Sequence, residues 1–178
     1  MKITISPALE QEARNYATLS RSFTSDRHDF HEGGLSAKQR KMFEGKLGEK
    51  AIQQFFVAND IKFVADSSSH EQADLFDFIV YDLHGNPLKV DVKTRTKKYH
   101  TRTLEMVEQM TKKPKDIYFS VQLYATNPFT VALIGYALKE DFLTANRIEN
   151  LGYLDNYVLY DSELNASSTI IDLLQKNN

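Results

Sequence analysis

The chain has no cysteine, which excludes disulfides, thiolate metal sites and a cysteine nucleophile and fits a reducing compartment. No uninterrupted apolar run approaches the roughly 20 residues that a membrane span needs. The first residues, MKITISPALEQEARNY, carry no apolar core of signal-peptide length. A cytoplasmic protein is expected. A large positive charge is missing too: 22 Lys and Arg against 24 Asp and Glu leave a net charge of −2, so bulk electrostatics do not draw in nucleic acid. No internal repeat, low-complexity tract or linker interrupts the 178 residues, and 42% hydrophobic content suffices for one domain, 1–178, with its own core.

What is present is distribution. Between Lys89 and Lys115 the chain gathers Lys89, Lys93, Arg95, Lys97, Lys98, Arg102, Lys112, Lys113 and Lys115 against Asp91, Glu105 and Glu108. Such a tract contacts a phosphate backbone if the fold gathers it on one face, and is otherwise a solvated surface. It overlaps the most informative stretch, FDFIVYDLHGNPLKVDVKTR, which reads as two strands around a tight turn. Side chains alternate along a strand, so Lys89, Asp91, Lys93 and Arg95 share one face and Leu88, Val90, Val92 and Thr94 the other. Asp77, at the start of the first strand, adds a second carboxylate. A carboxylate pair suits hard cations such as Mg²⁺, and a lysine beside it stabilises negative charge or holds a water losing its proton. These parts match metal-assisted phosphodiester hydrolysis.

The remaining pattern predicts a helix over 7–21, capped by Ser6 with Pro7 in its first turn, and a loop over 22–35. A longer helix is expected over 36–59, with Phe43, Leu47, Ala51 and Phe55 at i, i+4 spacing widened by Ile52 and Phe56. Strands are expected over 61–65, 75–83 and 88–94, the last two joined by a turn at 84–87, and over 117–124 and 129–138. Short helices are expected over 103–110, 139–146 and 168–175, and a late strand over 157–160. This order indicates an α/β protein with a mixed central sheet flanked by helices.

A helix-borne acid, a strand-borne Asp and Asp-x-Lys on the next strand, in that order, resemble the PD-(D/E)XK nuclease superfamily, the restriction-endonuclease-like fold. The resemblance covers about 36–138. It implies an αβββαβ nuclease core there, with 1–35 as an N-terminal helix and loop and 139–178 as a C-terminal extension. It also implies that Glu49 is the helix acid, Asp77 and Asp91 the strand acids and Lys93 the catalytic lysine. Mg²⁺ or Mn²⁺ would be held by Asp77, Asp91 and Glu49. Phe76 stands where the family name has proline. The implied activity is endonucleolytic hydrolysis of double-stranded DNA, restriction- or phage-type, with a homodimer expected because cutting two strands calls for two active sites. An RNA endonuclease, a junction resolvase, a repair exonuclease and a catalytically silent nucleic-acid-binding protein are the alternatives.

Register decides whether these residues meet. A clean four-residue loop at 84–87 would set Asp77 across from Thr94, on the wrong face, because a one-residue slip flips every side chain. The site therefore requires a three- or five-residue loop or a bulge, failing which Asp74 takes the ligand role. Glu49 is preferred to Glu44 because it borders the apolar stripe and is flanked by Gly45 and Gly48. Thr94, Arg95, Lys97, Lys98 and Gln53 are expected to hold nucleic-acid phosphates or a water, with Gln122 in support. His28, Asp29, His31 and Glu32 contain metal-ligand types without a recognised zinc spacing, and with His70 and His100 they read as solvated loop residues.

Overall fold

The computed structural model describes residues 1–20, 35–66, 76–150 and 154–177. The chain is a mixed α/β protein in three layers, whose elements run β1 (Lys2–Thr4), α1 (Pro7–Leu19), α2 (Leu35–Ala58), β2 (Phe63–Ala65), β3 (Phe78–Tyr81), β4 (Pro87–Arg95) and β5 (Arg102–Met106). There follow α3 (Val107–Lys112), β6 (Ile117–Tyr124), β7 (Thr130–Leu138), α4 (Lys139–Ala145), β8 (Ile148–Asn150) and β9 (Asp155–Tyr160). Six strands form one sheet in the order β1-β7-β6-β4-β3-β2, and three form another, β5-β9-β8. The pair β4 and β6 is parallel and every other pair is antiparallel. Among the described residues no helix is long and apolar enough to cross a membrane.

Helix α2 covers one face of the large sheet. Its buried stripe, Leu47, Ala51, Ile52, Phe55 and Phe56, joins Phe78, Val80, Val90 and Phe119 in one core. Phe56 meets Phe78 edge-on at 5.5 Å and Phe119 at 5.8 Å, contacts that add to burial and fix the helix over β3 and β6. Helix α1 starts where Ser6 accepts the Leu9 N–H at 3.4 Å, with Pro7 in its first turn. The opposite face carries a smaller core of Met110, Tyr118, Ala137, Phe142 and Leu159, over which the three-stranded sheet lies.

Three expectations need correction. The segment 103–110 is strand first and helix second, because Arg102–Met106 pairs with β9 and the helix begins only at Val107. The segment 168–175 holds only a 3₁₀ turn, Thr169–Asp172, tied down by bridges from Leu174 to Asp82 and from Lys176 to Ile61. The turn does not occupy 84–87. Tyr81 pairs with Pro87, so the loop is five residues, 82–86. The expected loop at 22–35 lies outside the described residues except for Leu35, which opens α2.

Candidate active site

The five-residue loop is built by one side chain. Asp82 Oδ1 accepts the backbone N–H groups of His84 and Asn86, both at 2.8 Å, and Oδ2 accepts from Asn86 Nδ2 at 2.8 Å. Gly85 supplies the left-handed step at φ 84°. This geometry pairs Phe78 with Val90 and brings Asp77 to bracket Asp91. The Asp77 N–H donates to the Val90 carbonyl at 2.9 Å, and Asp77 Oδ2 accepts the Val92 N–H at 2.6 Å. Beyond Val90 the chain of β3 has left β4, and among the described residues no strand covers that edge of β4 from Val92 to Arg95.

Helix α2 brings Glu49 to the same place because Gly48 lets it sit on β4. A Cβ at Gly48 would stand 1.9 Å from Thr94 Oγ1. Burial pushes the Asp77 carboxyl well above the ordinary carboxylate range, and repulsion from Glu49 and Asp91 adds to this, while Lys46 and the Val92 N–H oppose it. Two carboxylates thus act on Asp77 from opposite sides of the chain fold, Glu49 from α2 and Asp91 from β4. A cavity of about 120 Å³ is lined there by Glu49, Gln53, Asp66 and Asp77, with Lys46 and Lys50 at its wall. Lys46 Nζ lies 2.8 Å from Glu49 Oε2.

On the other face of β4, Lys93 Nζ lies 2.8 Å from Asp91 Oδ2 and 2.5 Å from Glu105 Oε2. Lys115 Nζ stands 3.9 Å from Asp91 Oδ1. Burial works to lower the Lys93 pKa, but Asp91 and Glu105 outweigh it and hold the ammonium above the ordinary lysine range. Lys93 is therefore a fixed cation rather than a base. Burial pushes the Glu105 carboxyl up against the pull of Lys93. Neither Glu105 oxygen receives a well-directed hydrogen bond, so its partnership with Lys93 is electrostatic. Tyr118 floors the cluster, its hydroxyl accepting the Lys115 N–H at 3.2 Å.

Against protein-family models, curated proteins and solved structures, the chain finds no match.

Glu49 and Asp77 line one cavity, Asp91 and Lys93 pair on the other face of β4, and Asp77 reaches β4 on either side of Asp91 through the Val90 carbonyl and the Val92 N–H. Glu44 does not join them: it pairs with Arg40 at 2.8 Å, more than a turn away on α2. Gln53 lines the cavity with Asp77 and accepts from Lys50 at 3.1 Å. The expected phosphate contacts fare differently. Thr94 turns toward α2 and stands 3.5 Å from the Gly45 carbonyl. Arg95 is spent in a two-pronged pair with Asp161, both contacts 2.7 Å. Gln122 donates to the carbonyls of Arg95 and Leu123 and is structural. Lys97 and Lys98 remain exposed, as does His100.

The basic tract does not form one face. Lys93, Arg95, Arg102 and Lys112 each sit in an ion pair with a carboxylate, and Lys115 is buried beside Asp91. Asp74, His28, Asp29, His31, Glu32 and His70 lie outside the described residues. Glu105, Lys115 and Lys46 complete the site and were not expected there. The only trace of Glu105 in the sequence is the alternation Thr103-Leu104-Glu105-Met106, a strand period that the helix expectation overrode.

The oxygen donors around Asp77 include the carboxylates of Glu49 and Asp66 and the amide of Gln53, with the ammonium groups of Lys46 and Lys50 among them; carboxylate oxygens are the donors that hard divalent cations take. Among the described residues no three Asp, Glu or His side chains already stand in a metal-holding group. Asp91 and Glu49 are instead occupied by Lys93 and Lys46.

Proposed function

We propose that this chain is a metal-dependent nuclease that hydrolyses phosphodiester bonds in nucleic acid, with DNA the favoured substrate, in the manner of a restriction- or phage-type endonuclease acting as a homodimer. One observation carries the reading: the loop 82–86 sets Asp77 astride Asp91, with Lys93 two residues further on the same face and Glu49 reaching in from α2. The element order α2-β2-β3-β4, then α3 and a β6 parallel to β4, supports the αβββαβ core that the motif implies, with β5 inserted before α3.

Asp77 and Asp91, joined by Glu49, are the residues that would hold Mg²⁺ or Mn²⁺. Bound there, the cation would polarise a phosphoryl oxygen and acidify a water. Asp77 keeps its carboxylate aimed at this edge through the Val92 N–H. Lys93, permanently charged, stabilises negative charge developing on the phosphate. A cation held there would take Glu49 from Lys46 and share Asp91 with Lys93.

A second reading has its own observation. Asp91, Lys93, Glu105 and Lys115 form a buried set of two carboxylates and two ammonium groups that neutralise each other without a metal. That suits a nucleic-acid-binding protein without catalysis.

Incubation with supercoiled plasmid and with RNA, in Mn²⁺, Mg²⁺ or EDTA, separates the two. The nuclease reading expects metal-dependent cutting that Asp91→Ala and Lys93→Ala abolish. It also expects Mn²⁺ at about 100 times its Kd to stabilise the chain by about 2.7 kcal/mol in thermal denaturation, an effect lost in Asp77→Asn/Asp91→Asn. Nucleic-acid binding with no cutting and no metal-induced stabilisation selects the silent protein.

A further inference from the structure

Resting on the nucleic-acid-binding part of the reading above, and departing from its restriction-type duplex form, we infer that the substrate strand is unpaired where it crosses the site, with one base stacked on Tyr99. Val92 to Arg95 of β4, whose free edge no described strand covers, line a cleft of about 960 Å³ between α2 and β5. Its lining includes Lys41, Lys93, Arg95 and Arg102 against the single carboxylate of Glu44, itself paired with Arg40. Lys93, Arg95 and Arg102 are each paired with a carboxylate, so among the described residues the cations left to meet a phosphate chain are Lys41 on the wall and Lys97 and Lys98 at the rim.

Lys93 is recessed, with 27% of its side chain exposed, and Arg95 is more so. A stiff duplex presents its phosphates on a convex surface, whereas a flexible single strand can sink one phosphate to a recessed group. The rim carries the matching partner for a base. The turn Lys97-Lys98-Tyr99-His100 closes through the His100 N–H to the Lys97 carbonyl at 3.1 Å. Tyr99 is 75% exposed, the most exposed of the large hydrophobic residues described. His100 stands perpendicular to it with ring centroids 4.7 Å apart, so at most one face of Tyr99 is taken by that neighbour.

An exposed tyrosine between two lysines and a histidine, at the mouth of a cleft, is the composition of a stacking platform for unpaired bases. In a duplex each base is already stacked and paired, so Tyr99 would have no free π-face to meet. The sugar is left open by these contacts: stacking and phosphate pairing serve DNA and RNA alike.

The test measures binding by the full chain in EDTA, where nothing is cut. Fluorescein-labelled oligothymidylate and oligouridylate of about 15 nucleotides, within the site sizes of single-strand binders, are compared with a duplex of equal length by anisotropy. The expected order places one of the single strands at least tenfold tighter than the duplex, and whichever of the two binds better names the sugar. Tyr99→Ala should weaken that binding by about 5- to 150-fold with an unchanged salt slope, while Tyr99→Phe stays within about twofold. Lys97→Ala/Lys98→Ala should instead flatten the salt slope, by about 0.7 per charge removed.

Equal binding by Tyr99→Ala and the unaltered chain overturns the inference, as does a preference for duplex or no binding up to about 100 µM, the weak end of non-specific affinity. A parallel digestion in Mn²⁺ keeps the two ideas apart. Tyr99-dependent binding with no cutting removes the hydrolase and keeps the platform; plasmid cutting unaffected by Tyr99→Ala keeps the hydrolase and removes the platform.

Discussion

The Lys93 ammonium lies 2.5 Å from Glu105 Oε2, across the gap between the six-stranded sheet and the three-stranded one. Glu105 is 1% exposed, so a charge from β5 is buried solely against the site. Removing one member of a buried pair strands the other. Glu105→Ala should therefore cost about 3–5 kcal/mol in urea denaturation. Glu105→Gln, which keeps the shape and an acceptor, should cost clearly less. A loss below about 0.5 kcal/mol in Glu105→Ala, the scale of an ordinary surface change, would show that the pair does not hold the two sheets together.

Gly48 sets how closely α2 rides on β4. An added methyl would meet Thr94 Oγ1 at 1.9 Å and Val121 Cγ2 at 3.1 Å, so the helix must lift. Gly48→Ala should destabilise by about 1–3 kcal/mol, the usual cost of overpacking. Thr94→Ala in the same chain should recover part of that loss, since the nearest obstacle is the threonine hydroxyl. A double-mutant cycle measures the coupling; additive effects would refute the contact.

Asp82 acts at a distance from the site by holding its register. Its carboxylate pKa is lowered by hydrogen bonds from Asn86, chiefly the side-chain amide, and from the His84 N–H. Asp82→Ala should speed amide hydrogen exchange along Phe78–Tyr81 while the amides of β7 keep their protection. Gly85→Ala, forced to φ 84°, should act in the same direction. Unchanged exchange in β3 would show that the strand pairing sets the loop and not the reverse.

Arg147 and Glu163 provide the pH-dependent contact. Hydrogen bonds from Arg147, and then from the Tyr160 N–H, lower the Glu163 pKa to about 2, below the roughly 4.3 of an unfolded glutamate. A carboxylate with a depressed folded pKa contributes stability above its unfolded value, lost as pH falls through the folded one. Glu163→Gln should thus unfold at lower urea than the unaltered chain at pH 7, and the difference should shrink between about pH 4 and 2. Because the pair is exposed, salt near 1 M should shrink it as well. A difference that grows on acidification contradicts the assignment.

Much of the fold was readable because its long elements carry strong periods. The stripe Leu47-Ala51-Ile52-Phe55 announces α2, and the aromatic runs announce β6 and β7, which match within a residue. The errors fall on short elements whose state depends on neighbours. Arg102–Met106 is a strand because β9 offers it a ladder, and 168–175 stays irregular because bridges to Asp82 and Ile61 compete with helical bonds. Arg95 looked like a phosphate ligand, and only the approach of Asp161, 66 positions away, removes it from that role.

Composition and local pattern alone were sufficient to establish an α/β chain without thiol chemistry and to place the acids and the lysine in their order. They also narrowed the hairpin to the registers under which Asp77 and Asp91 meet. Which register is adopted, and which charges face each other, was decided in three dimensions. Asp82 closes a five-residue loop, Gly48 lets α2 descend on Thr94, and Glu105 arrives from another sheet to clamp Lys93. Pairing energies between groups far apart in the chain depend on distances of a few ångströms, and those distances exist only once the layers have packed.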